Sequence, residues 1–195
     1  MIEVEIKLAI SHESLLNLLE KKAIKVLNLG KLIIQDSYID NENFDLKREG
    51  KVLRLRFEGR KISLQSKSAK ISEYPKKRLE KSVSIPANSK NINRVLEICG
   101  FQIPNGVYDE KTLLDTLHRS GYRIVLTYRK ERTTLRPIGY KAIIYLDKID
   151  ELGEYVEIEG PEAEKLVETL KLQKLQVKES YPEMIWAMRR NKIKK

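Results

Sequence analysis

Cysteine is almost missing from this 195-residue chain. Cys99 stands alone, so no disulfide can form within the chain and a cytosolic setting fits. A single thiol also excludes a cysteine-type zinc site. Histidine is scarce: His12 and His118 are the only two. The first is expected in an opening helical turn and the second in a loop, both as surface residues rather than catalytic bases. No apolar run approaches the length of a membrane span. The acidic start Met1-Ile2-Glu3 is unlike a signal peptide, so no membrane partner is expected. A glycine-rich phosphate loop and a nucleophile elbow are also lacking. With no Pro/Gly/Ser-rich linker and no internal repeat, one domain over 1–195 is expected.

Charge is what the chain has in quantity. Charged residues make up 34% of it, the formal net charge is +10, and the 41% of hydrophobic residues suffice for a core. A basic chain favours phosphate-bearing partners. A surface patch of cations would suggest nucleic acid. Cations two residues apart along strands suggest an anion enclosed instead.

The stretch Glu3-Val4-Glu5-Ile6-Lys7 sets that spacing at once. In a strand, successive side chains alternate between faces, so Glu3, Glu5 and Lys7 share one face and the aliphatics the other. Two carboxylates about 7 Å apart on a strand face suit a hard divalent cation. The lysine beside them offers a fixed positive charge to an anion. The same alternation recurs along the chain. Asp36, Tyr38 and Asp40 share a face in a strand over 32–40. Arg54 and Arg56 oppose Leu53, Leu55 and Phe57. Ser63, Gln65 and Lys67 oppose Ile62 and Leu64. Arg78, Glu80 and Ser82 share a face in a strand that Pro86 ends. Tyr128, Lys130 and Arg132 share a face in a strand over 121–136, with Arg129 pointing the other way unless a bulge re-aims it. A strand from Tyr140 ends at Asp147, and Glu157 and Glu159 repeat the opening pattern. Helices are expected from the Ser11 cap to about Ala23, from the Ser89 cap to Cys99 with Gly100 as the stop, from Pro161 to about Leu172, and over 181–190.

Seven or eight strands with charges on one face and aliphatics on the other imply a closed sheet with a polar interior and helices over an apolar exterior. Small barrels ordinarily fill their interior with apolar side chains. A lumen rich in arginine and lysine would have to be wet and hold an anion, because unpaired buried charge is costly. Glu3, Glu5, Asp147, Glu157 and Glu159 would then hold Mg²⁺ or Mn²⁺ beside it. Cations and a metal around a polyphosphate are the equipment of phosphoryl transfer.

The ordered set of motifs resembles the CYTH superfamily, the triphosphate tunnel metalloenzymes, over nearly the whole chain. Glu3 to Lys7 is similar to its ExExK signature, Gln35 to Asp40 to its second strand, Leu53-Arg54-Leu55-Arg56 to its arginine pair, and Lys130-Glu131-Arg132 to its KxR element. Lys67, then Arg78 and Glu80, follow in family order, and Ser180-Tyr181 resembles its C-terminal SY motif. The resemblance implies an α+β fold: an eight-stranded antiparallel β-barrel with a polar lumen and helices packed outside, as a single CYTH-like domain. It implies Lys7, Arg54, Arg56, Lys67, Arg78, Lys130 and Arg132 as phosphate ligands, with Lys178 near the mouth. Glu3, Glu5, Asp147, Glu157 and Glu159 would hold one or two Mg²⁺ or Mn²⁺ ions, and Lys7, Glu5 and Glu159 would be catalytic.

The implied activity is hydrolysis of inorganic triphosphate or a simple organic triphosphate. The alternatives are a class IV adenylate cyclase acting on ATP, and a non-catalytic binder of polyphosphate or RNA. The paired carboxylates oppose nucleic acid as a partner, since they repel phosphates unless a metal intervenes. Two departures stand out. The strand at Arg78-Leu79-Glu80 carries one glutamate where relatives often carry two, and no HF dipeptide precedes the opening motif, as it does in some cyclases. The sequence leaves the oligomeric state open; an edge-exposed or partly open barrel would allow a homodimer.

Overall fold

Alternation of apolar and polar residues sets the framework, because strands that cover a core on one side must repeat every second residue. The computed structural model describes residues 2–73 and 75–193, and the side chains of Ile2, Glu3, Glu73, Lys192 and Ile193 lie outside that description. Eight main strands result: β1 (Ile2–Leu8), β2 (Val26–Asn41), β3 (Val52–Glu58), β4 (Lys61–Lys67), β5 (Lys76–Ile85), β6 (Tyr122–Pro137), β7 (Ile143–Ile149) and β8 (Gly153–Glu159). Their hydrogen-bonded order is β1-β8-β7-β6-β2-β3-β4-β5, with a two-residue strand, Ser72–Glu73, beyond β5. Because β1 also pairs with β5, the order closes on itself as an eight-stranded antiparallel β-barrel. The helices are α1 (His12–Lys21), α2 (Asp45–Arg48), α3 (Ser89–Leu96), α4 (Glu110–Arg119), α5 (Ala163–Leu170) and α6 (Tyr181–Ile193). None among the described residues is long and apolar enough to cross a membrane.

The chain divides into two compact units, one of Met1–Glu3, Ile33–Ser72 and Lys77–Arg129, the other of Val4–Leu32, Glu73–Lys76 and Lys130–Lys195. In the first, Leu53, Leu55 and Leu64 from β3 and β4 pack with Ile92, Val95 and Leu96 of α3 and Leu113 and Leu117 of α4. In the second, Ile6 and Leu8, Ile144 and Leu146, and Val156 and Ile158 meet Leu15 and Leu19 of α1 and Leu166, Val167 and Leu170 of α5. In both units the charged residues of the same strands therefore lie on the face turned away from the helices.

Several boundaries differ from the sequence reading. β2 begins at Val26 rather than Leu32, and Leu27 and Leu29 in its added half are exposed, so no buried stripe announces it. The cap of α3 is Asn88, which accepts from Asn91 N–H, while Ser89 is the first helical residue. α4 was not expected. Asp109 and Thr112 form a capping box at its start, and its single apolar row, Leu113 and Leu117, is too short to stand out. His118 consequently lies in the last turn of that helix and not in a loop. His12 is less superficial than expected: its Nε2 lies 3.1 Å from the Asp147 carbonyl oxygen and 3.2 Å from that of Tyr155, tying α1 to β7 and β8.

Gly160 follows β8 with φ +125°, and a Cβ there would stand 2.6 Å from the Lys141 carbonyl oxygen and 3.0 Å from Ala142 Cα. Both obstacles are backbone. Gly160→Ala is expected to cost about 2 kcal/mol or more in urea unfolding. Cys99 packs in the first unit's core, where burial pushes its thiol up to about 12. Iodoacetamide at pH 8 should leave it unmodified in the folded protein and alkylate it in denaturant; rapid native labelling would refute this packing.

Candidate active site

Two clusters of buried charge occupy the strand faces opposite the helices, one in each unit. In the second unit, antiparallel register sets Glu5 against Glu159 and Lys7 against Glu157. Register also sets Asp147 against Arg132 and Tyr145 against Glu157. Opposed residues share a face, so Glu5, Lys7, Lys130, Arg132, Asp147, Glu157 and Glu159 gather on one side of four neighbouring strands. Asp147 is wholly buried and Lys130 is 2% exposed.

Burial of this kind requires pairing. Arg132 donates to Asp147 through Nε and Nη2, each at 2.6 Å, and through Nη2 also to Glu157. Lys130 Nζ donates to Asp147 at 2.8 Å. Lys7 Nζ lies 3.6 Å from Glu157 and 3.8 Å from Glu5, and donates to the Glu179 carbonyl at 3.2 Å. Lys76 Nζ reaches Glu5 at 2.8 Å. Aromatic faces complete the surroundings: Tyr181 of α6 lies 3.9 Å below Lys7 Nζ, and Tyr145 lies 4.0 Å from the Arg132 guanidinium.

The titrations follow this balance. Burial lowers the Lys7 pKa, against the pull of Glu5 and Glu157. Burial opposes ionisation of Glu157, but Lys130, Arg132 and Lys7 hold it well below the ordinary glutamate value. Burial would lower Arg132, yet Asp147 raises it well above its usual value. Glu157 and Arg132 are thus each held in their charged forms by the opposite charge beside them, whereas burial makes Lys7 easier to deprotonate than a free lysine.

In the first unit, wholly buried Asp36 accepts from Arg56 Nε at 2.7 Å and Nη2 at 2.8 Å, from Arg54 Nη1 at 3.2 Å and from the Tyr128 hydroxyl at 3.3 Å. Arg54 Nε donates to Gln65 at 2.8 Å. Lys67 lies 3.5 Å from Glu80. Arg78 is buried, its Nη1 reaches the Gly50 carbonyl at 3.4 Å, and its Nε has no hydrogen-bond partner among the described residues. An orphaned guanidinium N–H is unusual, and a bound anion is one group able to satisfy it.

The expected site residues are thus found in two groups: Glu5, Lys7, Lys130, Arg132, Asp147, Glu157 and Glu159 in one unit, and Arg54, Arg56, Lys67 and Arg78 in the other. Glu3 lies in β1, with its side chain outside the described residues. Lys178 is exposed and lines a cavity of about 280 Å³ together with Glu5, Lys7, Lys76 and Gln176. Arg129 is exposed on the far face of β6, so no bulge re-aims it. Sequence reasoning missed Asp36, Lys76 and Tyr181 as members. Asp36 was visible as a strand-face residue, Tyr181 as a motif; Lys76 sits in a polar stretch with no periodicity. Asp40, on the same strand as Asp36, instead accepts from Leu46 N–H at 3.0 Å and Lys47 N–H at 2.9 Å and so starts α2.

Among the described residues, no three His, Cys, Asp or Glu side chains converge as a ready metal cage. The donor chemistry nonetheless fits a hard cation. Glu5 and Glu159 face each other across β1 and β8 with Glu157 two residues on, all oxygen ligands. Like charges directly opposed destabilise a ladder, and the Lys76 ammonium on Glu5 stands where positive charge is called for.

Comparison with known proteins agrees with this geometry. The CYTH domain family matches residues 1–181. A protein of Pyrococcus horikoshii shares 24% identity with a TM-score of 0.68, covering 95% of this chain and 99% of its own. A candidate adenylate cyclase from Vibrio parahaemolyticus shares 17% identity with a TM-score of 0.67, covering 95% and 98%. A candidate adenylyl cyclase from Hippeastrum, described as having a dominant triphosphatase activity, shares 20% with a TM-score of 0.54, covering 88% of each chain. At these identities the likeness speaks for the fold. No curated protein matches.

Glu80 offers a test of the first cluster. Burial works against its charge, but Lys67, Arg54 and Arg56 hold its pKa below the ordinary 4.5. Its ionised form therefore contributes stability above about pH 4.5, and that contribution is lost as pH falls through the lowered folded value. Urea midpoints measured from pH 6 to pH 3 should fall less steeply for Glu80→Gln than for the unaltered protein. Equal slopes would show that Glu80 is not held by these cations.

Proposed function

The chain belongs to the CYTH domain family, and on that premise we propose that it is a metal-dependent triphosphatase acting on inorganic triphosphate or a simple organic triphosphate. The observation that carries this reading is the opposed pair Glu5 and Glu159 beside the buried cations Lys7, Lys130 and Arg132. In that unit Lys7, Lys76, Lys130 and Arg132 are already matched by Glu5, Asp147, Glu157 and Glu159. A triphosphate would add several negative charges to a site near balance. Extra positive charge must arrive with it, and the carboxylates are where it would bind. Glu5, Glu157 and Glu159, with Glu3 on the same strand, would hold Mg²⁺ or Mn²⁺. Such an ion supplies charge neutralisation to the phosphates and polarisation of an attacking water.

The remaining chemistry falls to the chain's own groups. Arg132 and Lys130 would donate to phosphate oxygens, the arginine in fork geometry and the lysine as a point charge, and Arg54, Arg56, Lys67 and Arg78 of the other unit form a second cluster with the same chemistry toward an anion. Lys7, fixed over the Tyr181 ring, stabilises charge on the terminal phosphoryl group as it develops. Lys178, at the cavity edge, draws the anion inward. Water adds to the terminal phosphorus and gives up a proton to solvent, the bond to the bridging oxygen breaks, and pyrophosphate, or the organic diphosphate of an organic substrate, leaves with that electron pair. Burial of the clusters keeps the surroundings preorganised and bulk water out.

A cyclase is the second reading, favoured by the Vibrio parahaemolyticus relative's description. Purified protein incubated with inorganic triphosphate or ATP, with and without Mg²⁺ or Mn²⁺, separates the two. Orthophosphate and pyrophosphate from triphosphate, only with metal, are expected. Cyclic AMP from ATP would replace the triphosphatase with a cyclase, and binding without turnover would make the protein a polyphosphate or RNA binder. Glu5→Gln and Lys7→Met should each lower kcat by about 10²-fold or more while the protein stays folded by circular dichroism.

A further inference from the structure

The two clusters contain one arrangement twice. Asp36 stands directly across the ladder from Arg56, and Asp147 directly across from Arg132. Each of these arginines has a second cation two residues earlier on its strand, Arg54 and Lys130 respectively. Each aspartate is wholly buried. Each takes the opposed arginine by the same four atoms: Nε on Oδ1 and Nη2 on Oδ2, at 2.7 and 2.8 Å for Arg56 and at 2.6 and 2.6 Å for Arg132. Each takes the earlier cation on Oδ2, Arg54 at 3.2 Å and Lys130 at 2.8 Å.

A carboxylate held in this way has both oxygens committed to cations. It fixes the plane of the guanidinium while using two of its five N–H donors. We infer that Asp36 and Asp147 are matched positioning residues that aim two pairs of phosphate-binding cations, and that Asp147 serves its cations rather than a metal. Glu5, Glu157 and Glu159 then carry the metal without it. The inference deepens the triphosphatase reading and rests on it for the identity of the anion. Its physical basis is orientation: a flexible arginine freed from its anchor meets phosphate in many geometries, and small misplacements cost rate. Because each aspartate is also a counter-charge, removing it leaves the site more positive. Turnover should fall while substrate binding does not weaken.

The test uses the full chain with Asp36→Asn and Asp147→Asn. Side-chain NMR follows the arginine Nε–H groups, with Arg56→Lys and Arg132→Lys giving the assignments. Asp36→Asn is expected to raise the exchange rate of Arg56 Nε–H by about tenfold or more and leave Arg132 alone, and Asp147→Asn to do the converse. Mn²⁺ binding without triphosphate, read by electron paramagnetic resonance, should be unchanged in both. With triphosphate as substrate, kcat should fall about tenfold or more with KM not raised. Loss of Mn²⁺ binding in Asp147→Asn with Arg132 Nε–H still protected would overturn the inference and make Asp147 a metal ligand. Unchanged Nε–H exchange in both variants would overturn it as well. If the unaltered protein hydrolyses no triphosphate, the functional reading fails, while exchange and Mn²⁺ binding still decide the anchoring role. Should an asparagine variant not fold, Asp→Glu at the same position keeps the charge, displaces it by one methylene, and is expected to show the same loss of protection.

Discussion

A charge taken out of water must meet an opposite charge or several hydrogen bonds, and this chain buries charge on a scale that makes the requirement structural. Asp36 and Asp147 have no exposed surface at all, and Arg54, Arg132, Lys7 and Lys130 have very little. None could occupy its place alone. Each strand face is therefore a set of mutual dependences, in which an arginine is held by an aspartate one strand away and both oxygens of the aspartate accept from that arginine. Removing either partner leaves the other stranded, which is why the charged faces specify their own geometry more strictly than an apolar core would.

The rest of the architecture follows from putting charge on that side. The aliphatic residues of the same strands must turn the other way, and the helices that cover them must be apolar along one stripe. Leu15 and Leu19 of α1, Leu166 and Leu170 of α5, and Ile92 and Leu96 of α3 supply it. Gly160 lets the chain leave β8 tightly enough for α5 to reach that side. Tyr181 marks the start of α6, where its ring meets the Lys7 ammonium, and the Ser180 N–H and hydroxyl both donate to Glu183 at 2.6 Å to fix that start. A single aromatic face thus links the C-terminal helix to a buried lysine of the site.

A balanced cluster has a chemical consequence. Cations already matched by carboxylates do not simply wait for an anion; they can accept one only as part of an exchange. The same carboxylates that neutralise Lys7 and Lys76 are oxygen ligands suited to a divalent ion. Under the proposed function, metal and polyphosphate would be linked ligands, each supplying the charge the other needs. This favours a polyphosphate bound with metal over nucleic acid bound by an open basic surface, despite the net charge of +10.

Alternation in the chain was sufficient to place most strands, because a strand with one apolar face must repeat every two residues whatever its neighbours are. It also put Arg54 beside Arg56, Lys130 beside Arg132 and Glu157 beside Glu159 on shared faces, and the ordered motifs identified the family. α4 and the first half of β2 escaped, the one for lack of a long apolar row and the other because Leu27 and Leu29 are exposed. Partnership was beyond reach of the sequence, since it depends on register between strands far apart in the chain. Asp36 and Asp40 are equivalent by periodicity, yet one holds two arginines and the other starts a helix. Lys76 carries no pattern at all and still reaches Glu5. Which residue types share each strand face follows from local backbone geometry and is legible in the chain alone. Which carboxylate meets which cation was decided only by tertiary structure, because ion pairing acts over a few ångströms and those distances exist only once the strands are aligned.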